Sequence, residues 1–200
     1  RSDQVKKDCN KLNKYIFEII NDKQIKNLVL ISKWAYYTDG NNFGKNLNFI
    51  SSKPRRSTNK ILSRKAFELG MNKTLNNYSK IGTNILIFNQ VPHQLMKPEQ
   101  IYYRSYDSNI NKFERNLLNY SVSLEKHHIL QQFVTKLFSQ SLKKFKNLNL
   151  INFDDIFCEK IKSKCLVGNS KHSFYTDESH LNFYGVELTA DKVEEYISNF

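Results

Sequence analysis

The stretch TNILIFNQVP, residues 83–92, decides the fold. Ile85, Leu86, Ile87 and Phe88 make an unbroken apolar run too short for a helix, and a polar loop with Pro92 ends it. An unbroken run, rather than an alternating one, predicts a strand buried on both faces, as in a parallel sheet. NLVLIS, residues 27–32, carries the same signal upstream, and NLNLINFDDIFC, residues 147–158, supplies a third short strand downstream. Helical periodicity fills the gaps between them. Residues 5–23 place Leu12, Tyr15, Ile16, Ile19 and Ile20 at helical spacing. Residues 59–82 do so with Ile61, Leu62, Ala66, Leu69 and Leu75, ending near Gly82. Residues 125–145 do so with Ile129, Phe133, Leu137 and Leu142. A last helix closes the chain after His180, with an interruption expected near Gly185. The loop 33–46 carries turn residues, and HSFYTD, residues 172–177, reads as a short extended segment. Residues 92–122 are polar, tyrosine-rich and weakly periodic, and predict a long excursion with one short helix.

Strands alternating with helices of this length imply right-handed crossovers and an α/β fold: a three-layer αβα sandwich around a mostly parallel sheet. Ligands in such folds lie beyond the C-terminal ends of the strands. The segments there are SKWAYY, NQVPHQ and FDDIFC, and a loop with Asp177 and His180 follows the last of them.

Two hundred residues with 40% hydrophobic content suit one domain with a sizeable core. The net charge of +12 invites an anionic neighbour. The lysines are scattered, though, and cluster only at 53–56 and 143–146. No zinc-finger spacing, RNP signature or helix-turn-helix accompanies them, so nucleic acid is not expected as a partner. No apolar run approaches the roughly 20 residues of a membrane helix. The chain starts RSDQVKKDCN, without Met or signal peptide, and reads as a piece of a longer protein with any export signal or anchor upstream. Of three cysteines, Cys158 and Cys165 are spaced to close a disulfide and poorly placed for zinc. Cys9 is left over, either as a buried thiol or with a partner upstream.

The chemistry concentrates in FYTDESHLNFYG, residues 174–185. A histidine that acts as a base on a hydroxyl needs one ring nitrogen free and the other donating to a carboxylate that fixes the tautomer. Asp177, three residues before His180, can fold back onto the ring to do this. The same spacing also suits a helix cap, with Asp177 as N-cap and His180 in the first turn.

The surrounding residues carry a resemblance. Cys158 and Cys165, Tyr175, Asp177, His180, Leu181 and Gly185 stand in the order and spacing of the C-terminal block of SGNH hydrolase domains attached to acyltransferase-3 membrane proteins. LVLISKWAYY is similar to that branch's apolar strand and following tryptophan. RKAFELGMNKTLNNYSKIGTNILIFNQVP is similar to its helix, Gly turn, strand and Val-Pro. The match runs from about Cys9 to the end. The resemblance implies a flavodoxin-like SGNH fold in which Asp177 and His180 are the acid and base partners of a catalytic serine. It implies acyl transfer, with acetyl the expected group, to a cell-surface glycan hydroxyl through an acyl-serine. It also implies an acyl-donating membrane domain in the same polypeptide, a periplasmic or extracellular location, and no cofactor or metal.

The sequence departs from the pattern in two places. The family's Gly-Asp-Ser nucleophile motif is absent. Ser170, in VGNS, is the nearest substitute but lies in a loop rather than between a strand and a helix. The expectation is that the first strand and the serine lie upstream of Arg1, with Cys9 bridged there, and that this chain alone is inactive. The wider superfamily's oxyanion-binding Asn is also missing, its place taken by Ser32-Lys33-Trp34. Trp34 either lines the acceptor site or packs against the sheet edge. His93, after Pro92 at a strand's C-terminal end, borders the cleft in this reading and is the second candidate for substrate binding. His127 and His128 read as surface or satisfied histidines, Asp154 and Asp155 as turn or cap residues, and His172 as too weakly supported for zinc. The alternatives to acyl transfer are an inactive glycan-binding or docking module and an acyl esterase.

Overall fold

The computed structural model describes residues 3–40, 49–52 and 59–199, with backbone alone for 3–10. The basic cluster at 53–56, the far part of the loop after the first strand, and the Cys9 side chain lie outside the described residues. In chain order the elements are α1 (Asp3–Asp22), β1 (Asn27–Leu30), α2 (Trp34–Thr38), α3 (Lys60–Lys80), β2 (Asn84–Phe88), α4 (Pro98–Ser105), α5 (Ile110–Tyr120), β3 (Val122–Ser123), α6 (Leu124–Lys144), β4 (Leu148–Ile151), α7 (Asp154–Phe157), β5 (Cys158–Glu159), β6 (Lys164–Cys165), α8 (Phe183–Glu187) and α9 (Ala190–Ser198).

The three strands expected from apolar runs form one parallel sheet in the order β1-β2-β4. Leu28 faces Ile85 across the first pair and Ile87 faces Leu150 across the second. Central β2 explains the three layers. Its Ile85 and Ile87 join a core with Trp34, Phe67, Leu75, Val134 and Phe138, drawn from α2, α3 and α6. Its Leu86 joins a second core with Ile101, Leu117, Phe157 and Tyr175, drawn from α4, α5, α7 and the C-terminal loop. All three side chains are fully buried, the both-face burial that the apolar run predicts. Gly82, at φ +73, makes the turn from α3 into β2, a conformation that favours glycine.

Strand β1 differs from its expected burial. It is an edge strand whose residues alternate between exposed and half-buried, with Val29 39% exposed. The apolar stripes of the helices also shift. On α3 the buried residues are Ser63, Phe67, Met71, Leu75 and Tyr78, while Ile61, Leu62 and Leu69 face outward. On α6 the buried face runs through His127, Leu130, Gln131, Val134, Leu137, Phe138 and Ser141, leaving Ile129 exposed. On α1 only Ile20 of the expected stripe is buried, and Leu12, Tyr15, Ile16 and Ile19 are exposed. The apolar residues of α3 and α6 spread over more than one face, so periodicity alone does not choose which is buried; those of α1 share one face, which is exposed among the described residues.

The excursion 92–122 holds two helices, α4 and α5, rather than one. Asn109 caps α5 by accepting from Lys112 N–H. A second, antiparallel sheet in the order β3-β6-β5 was not expected from the sequence; its strands have two residues each, too few for a periodic signal. It pairs Cys158 with Cys165, and the two are joined as a buried disulfide. The closing helix breaks at Leu188 and Thr189, not at Gly185, which lies inside α8.

Candidate active site

Two strand-end loops grip the loop that carries Asp177 and His180. After β2, Gln94 N–H donates to Glu178 O at 2.7 Å. After β1, Lys33 Nζ donates to Ser179 Oγ at 3.1 Å. The loop closes on itself through Thr176 N–H to His180 O (2.8 Å) and a bridge between Tyr175 and Leu181. These bonds set residues 176–180 over the C-terminal ends of β1 and β2, where α/β folds take their ligands.

Within the loop, Asp177 uses its two oxygens differently. Oδ1 accepts from the N–H groups of Ser179 (2.8 Å) and His180 (2.9 Å), and from Ser179 Oγ (3.3 Å). Oδ2 sits 2.7 Å from His180 Nδ1. Asp177 does cap backbone N–H groups, but those of a turn. The helix starts later, at Phe183, capped by Asn182 through Gly185 N–H. Burial favours the protonated acid, yet the hydrogen bond from His180 and those from the two backbone N–H groups outweigh it and hold the carboxyl at about 2. An ionised Asp177 accepts from Nδ1–H and so leaves Nε2 with the lone pair. The His180 side chain is 71% exposed, which opens that nitrogen to an incoming group.

His93 is buried beside this pair. Burial first, then the Lys33 cation, hold its imidazole down to about 4, against the pull of Asp177. It is therefore neutral at physiological pH. Trp34 lies in the core, 7% exposed and edge-on to Phe67 and Phe138, with Nε1–H donating to Phe88 O at 2.7 Å. Of the two roles the sequence left open, this placement fits packing. Ser170 donates to Glu114 at 2.6 Å, and among the described residues no serine hydroxyl is hydrogen-bonded to His180.

A second histidine cluster forms at the C-terminal end of β4. Asp154 accepts from His127 Nε2 at 2.9 Å and from His128 Nε2 at 2.8 Å. Burial would raise the Asp154 carboxyl, but the two histidines together hold it at about 2. Among the described residues these three are the one His/Cys/Asp/Glu group close enough to share a metal ion. Gln131 argues against that use. Its Nε2 donates both to Gln90 O (2.7 Å) and to His127 Nδ1 (3.1 Å), so the ring proton sits on Nε2 and points at Asp154. A metal on Nε2 would need the opposite tautomer. Asp155 is apart, paired with Lys192 at 2.6 Å. His172 stacks on Tyr184 with ring centroids 3.9 Å apart.

The description "SGNH domain (fused to AT3 domains)" matches residues 1–195. The chain belongs to that family. Among solved structures, this SGNH domain is similar to the one titled "Structure of Salmonella ser. Paratyphi A lipopolysaccharide acetyltransferase periplasmic domain". The TM-score is 0.55 at 16% identity, over 94% of this chain and 62% of that one. The likeness establishes the shared fold, and this SGNH domain spans less than two thirds of its neighbour's length. No curated protein matches it.

Sequence reasoning missed Lys33 and Ser179 as parts of the site, and Gln94 as its support. No local pattern marks them, because Lys33 and Ser179 are 146 positions apart.

Proposed function

We propose that this SGNH domain is the C-terminal part of an extracytoplasmic O-acyltransferase that moves an acyl group, acetyl in the first instance, to a hydroxyl of a cell-surface glycan. The observation that carries the reading is the Asp177–His180 pair, with an ionised carboxylate on Nδ1 and an exposed ring, seated over the strand ends. A serine supplied by polypeptide upstream of Arg1 completes the triad. Two features support an upstream strand. The β1 edge is open among the described residues, and the apolar stripe of α1 is exposed. Membership of a family fused to AT3 domains supports an acyl-donating membrane domain in the same polypeptide.

The reaction runs in two halves. His180 Nε2 takes the serine proton as the serine oxygen attacks the donor's acyl carbon. The imidazolium then returns that proton to the donor's leaving group. In the second half Nε2 takes the proton of the sugar hydroxyl, whose oxygen attacks the acyl-serine. The ester bond to serine breaks, and the serine oxygen recovers a proton from the imidazolium. Asp177 holds the tautomer and stabilises the imidazolium throughout. Water in place of the sugar would make the enzyme an esterase, so the partition between hydrolysis and transfer decides between those activities. A docking module without catalysis is the second reading, favoured by the absence of Gly-Asp-Ser from this chain.

The test is acyl transfer to glycan by the full-length polypeptide. His180→Ala and Asp177→Asn should each lower kcat by about 10³–10⁴-fold without changing the melting temperature by more than a few degrees. The 200-residue chain alone should release no acyl group from an activated ester. Unchanged transfer in both variants would leave the docking reading.

A further inference from the structure

The contact between Lys33 and Ser179 has a direction. An ammonium can only donate, so Ser179 Oγ accepts from Lys33 with a lone pair. The single hydroxyl hydrogen of Ser179 is then left for Asp177 Oδ1, 3.3 Å away. Asp177 in turn binds His180 Nδ1. A chain of hydrogen bonds therefore runs from the end of β1 to the ring that exchanges protons, and the lysine sets the sense of the two bonds that Ser179 makes in it.

The surroundings of Lys33 are charged. Asp177 and Glu178 are close enough to favour its cation, while burial pulls its ammonium below the ordinary lysine range. His93 and Asp177 lie within reach of the same charge, and His180 adds to the field at His93. Tyr36 offers its ring face 5.7 Å from Nζ. Half-burying a cation here has a cost that the fold does not require for the loop backbone. Gln94 N–H to Glu178 O and Thr176 N–H to His180 O already hold that backbone. The position of the charge points instead to the carboxylate it serves.

We propose that Lys33 is a positioning residue for proton transfer: by donating to Ser179 Oγ it turns that hydroxyl toward Asp177 and holds the carboxylate aimed at His180 Nδ1, and its charge faces the His93 ring beside them. The electrostatic part stands on the geometry of this chain alone. The catalytic part rests on the acyl-transfer reading given above.

The experiment has two arms. In this chain, NMR follows the titration of His93 and the exchange of the His180 Nδ1 proton with water, in Lys33→Met, Lys33→Arg and Ser179→Ala. Lys33→Met should raise the His93 midpoint from about 4 by roughly half a pH unit. It should speed Nδ1 proton exchange several-fold, and Ser179→Ala should do the same. Lys33→Arg should restore both readouts. In the full-length polypeptide, Lys33→Met should lower kcat about tenfold, the rate equivalent of one charge-assisted hydrogen bond, with KM within twofold. Lys33→Arg should recover most of the rate. Wild-type NMR behaviour in Lys33→Met overturns the proposal whatever the activity. Altered NMR behaviour with full transfer by Asp177→Asn overturns the reading of this dyad as the transfer site and leaves the electrostatic role of Lys33 standing.

Discussion

At the scale of single residues, Asp177 reconciles two readings that the sequence set against each other. One carboxylate oxygen caps backbone N–H groups and the other orients an imidazole, and the cap together with the Ser179 hydroxyl holds the carboxylate at the angle the ring needs. His127 and His128 show how neighbouring identical residues diverge. His127 is 2% exposed and bonded on both ring nitrogens, whereas the His128 side chain is 56% exposed. His127→Ala strips partners from buried Gln131 and from Asp154, and should cost about 2–4 kcal/mol in urea unfolding. His128→Ala should cost under about 1 kcal/mol. His93 predicts a pH dependence. Its folded pKa of about 4 lies below the ordinary 6.5, so between these values the unfolded chain binds a proton that the fold refuses. Stability should therefore rise with pH from about 4 to 6.5, by up to about 3 kcal/mol, and His93→Gln should flatten that slope. Asp177 and Asp154 act in a separate window. Their carboxyls are depressed to about 2, so their contribution is present above the ordinary carboxylate range and lost as pH falls toward 2.

At the scale of elements, α8 is held against the loop that carries Asp177 and His180 by the absence of a side chain. A Cβ on Gly185 would lie 2.1 Å from Phe174 O. Since Asn182 N–H also donates to Phe174 O, the helix start and the loop share that carbonyl. Gly185→Ala should lower stability by about 1–3 kcal/mol in thermal or urea unfolding and loosen the loop that follows Phe174. The glycine stood out in the sequence, but as an interruption of the helix; only the approach of Phe174 gives its reason. The strands were legible because each is a short apolar run bounded by polar residues. The faces of α3 and α6 were not, because Ile61, Leu69 and Ile129 compete with the residues that the sheet selects. The two-residue strands β3, β5 and β6 left no pattern to find.

At the scale of the whole molecule, the β1 edge of the sheet is open among the described residues and the stripe of α1 faces outward. Val29 and Ile31 at that edge, and Leu12 and Ile16 on α1, present apolar side chains to solvent. If upstream polypeptide covers this side, Leu12→Glu and Ile16→Glu should cost no more than about 0.5 kcal/mol each in the present chain and clearly more in the full-length protein, by paired urea titrations. Equal costs in both would remove the support for docking there.

Three parallel strands, a dyad three residues apart and a bridgeable cysteine pair are local facts of composition and spacing, and the sequence by itself determined them. The tertiary structure alone decided which helix faces are buried, that Trp34 packs in the core, that two histidines share Asp154, and that Lys33 reaches Ser179. Each of these joins positions far apart in the chain. Burial and hydrogen bonding at such positions depend on what the fold brings alongside, and no periodicity or short motif encodes that.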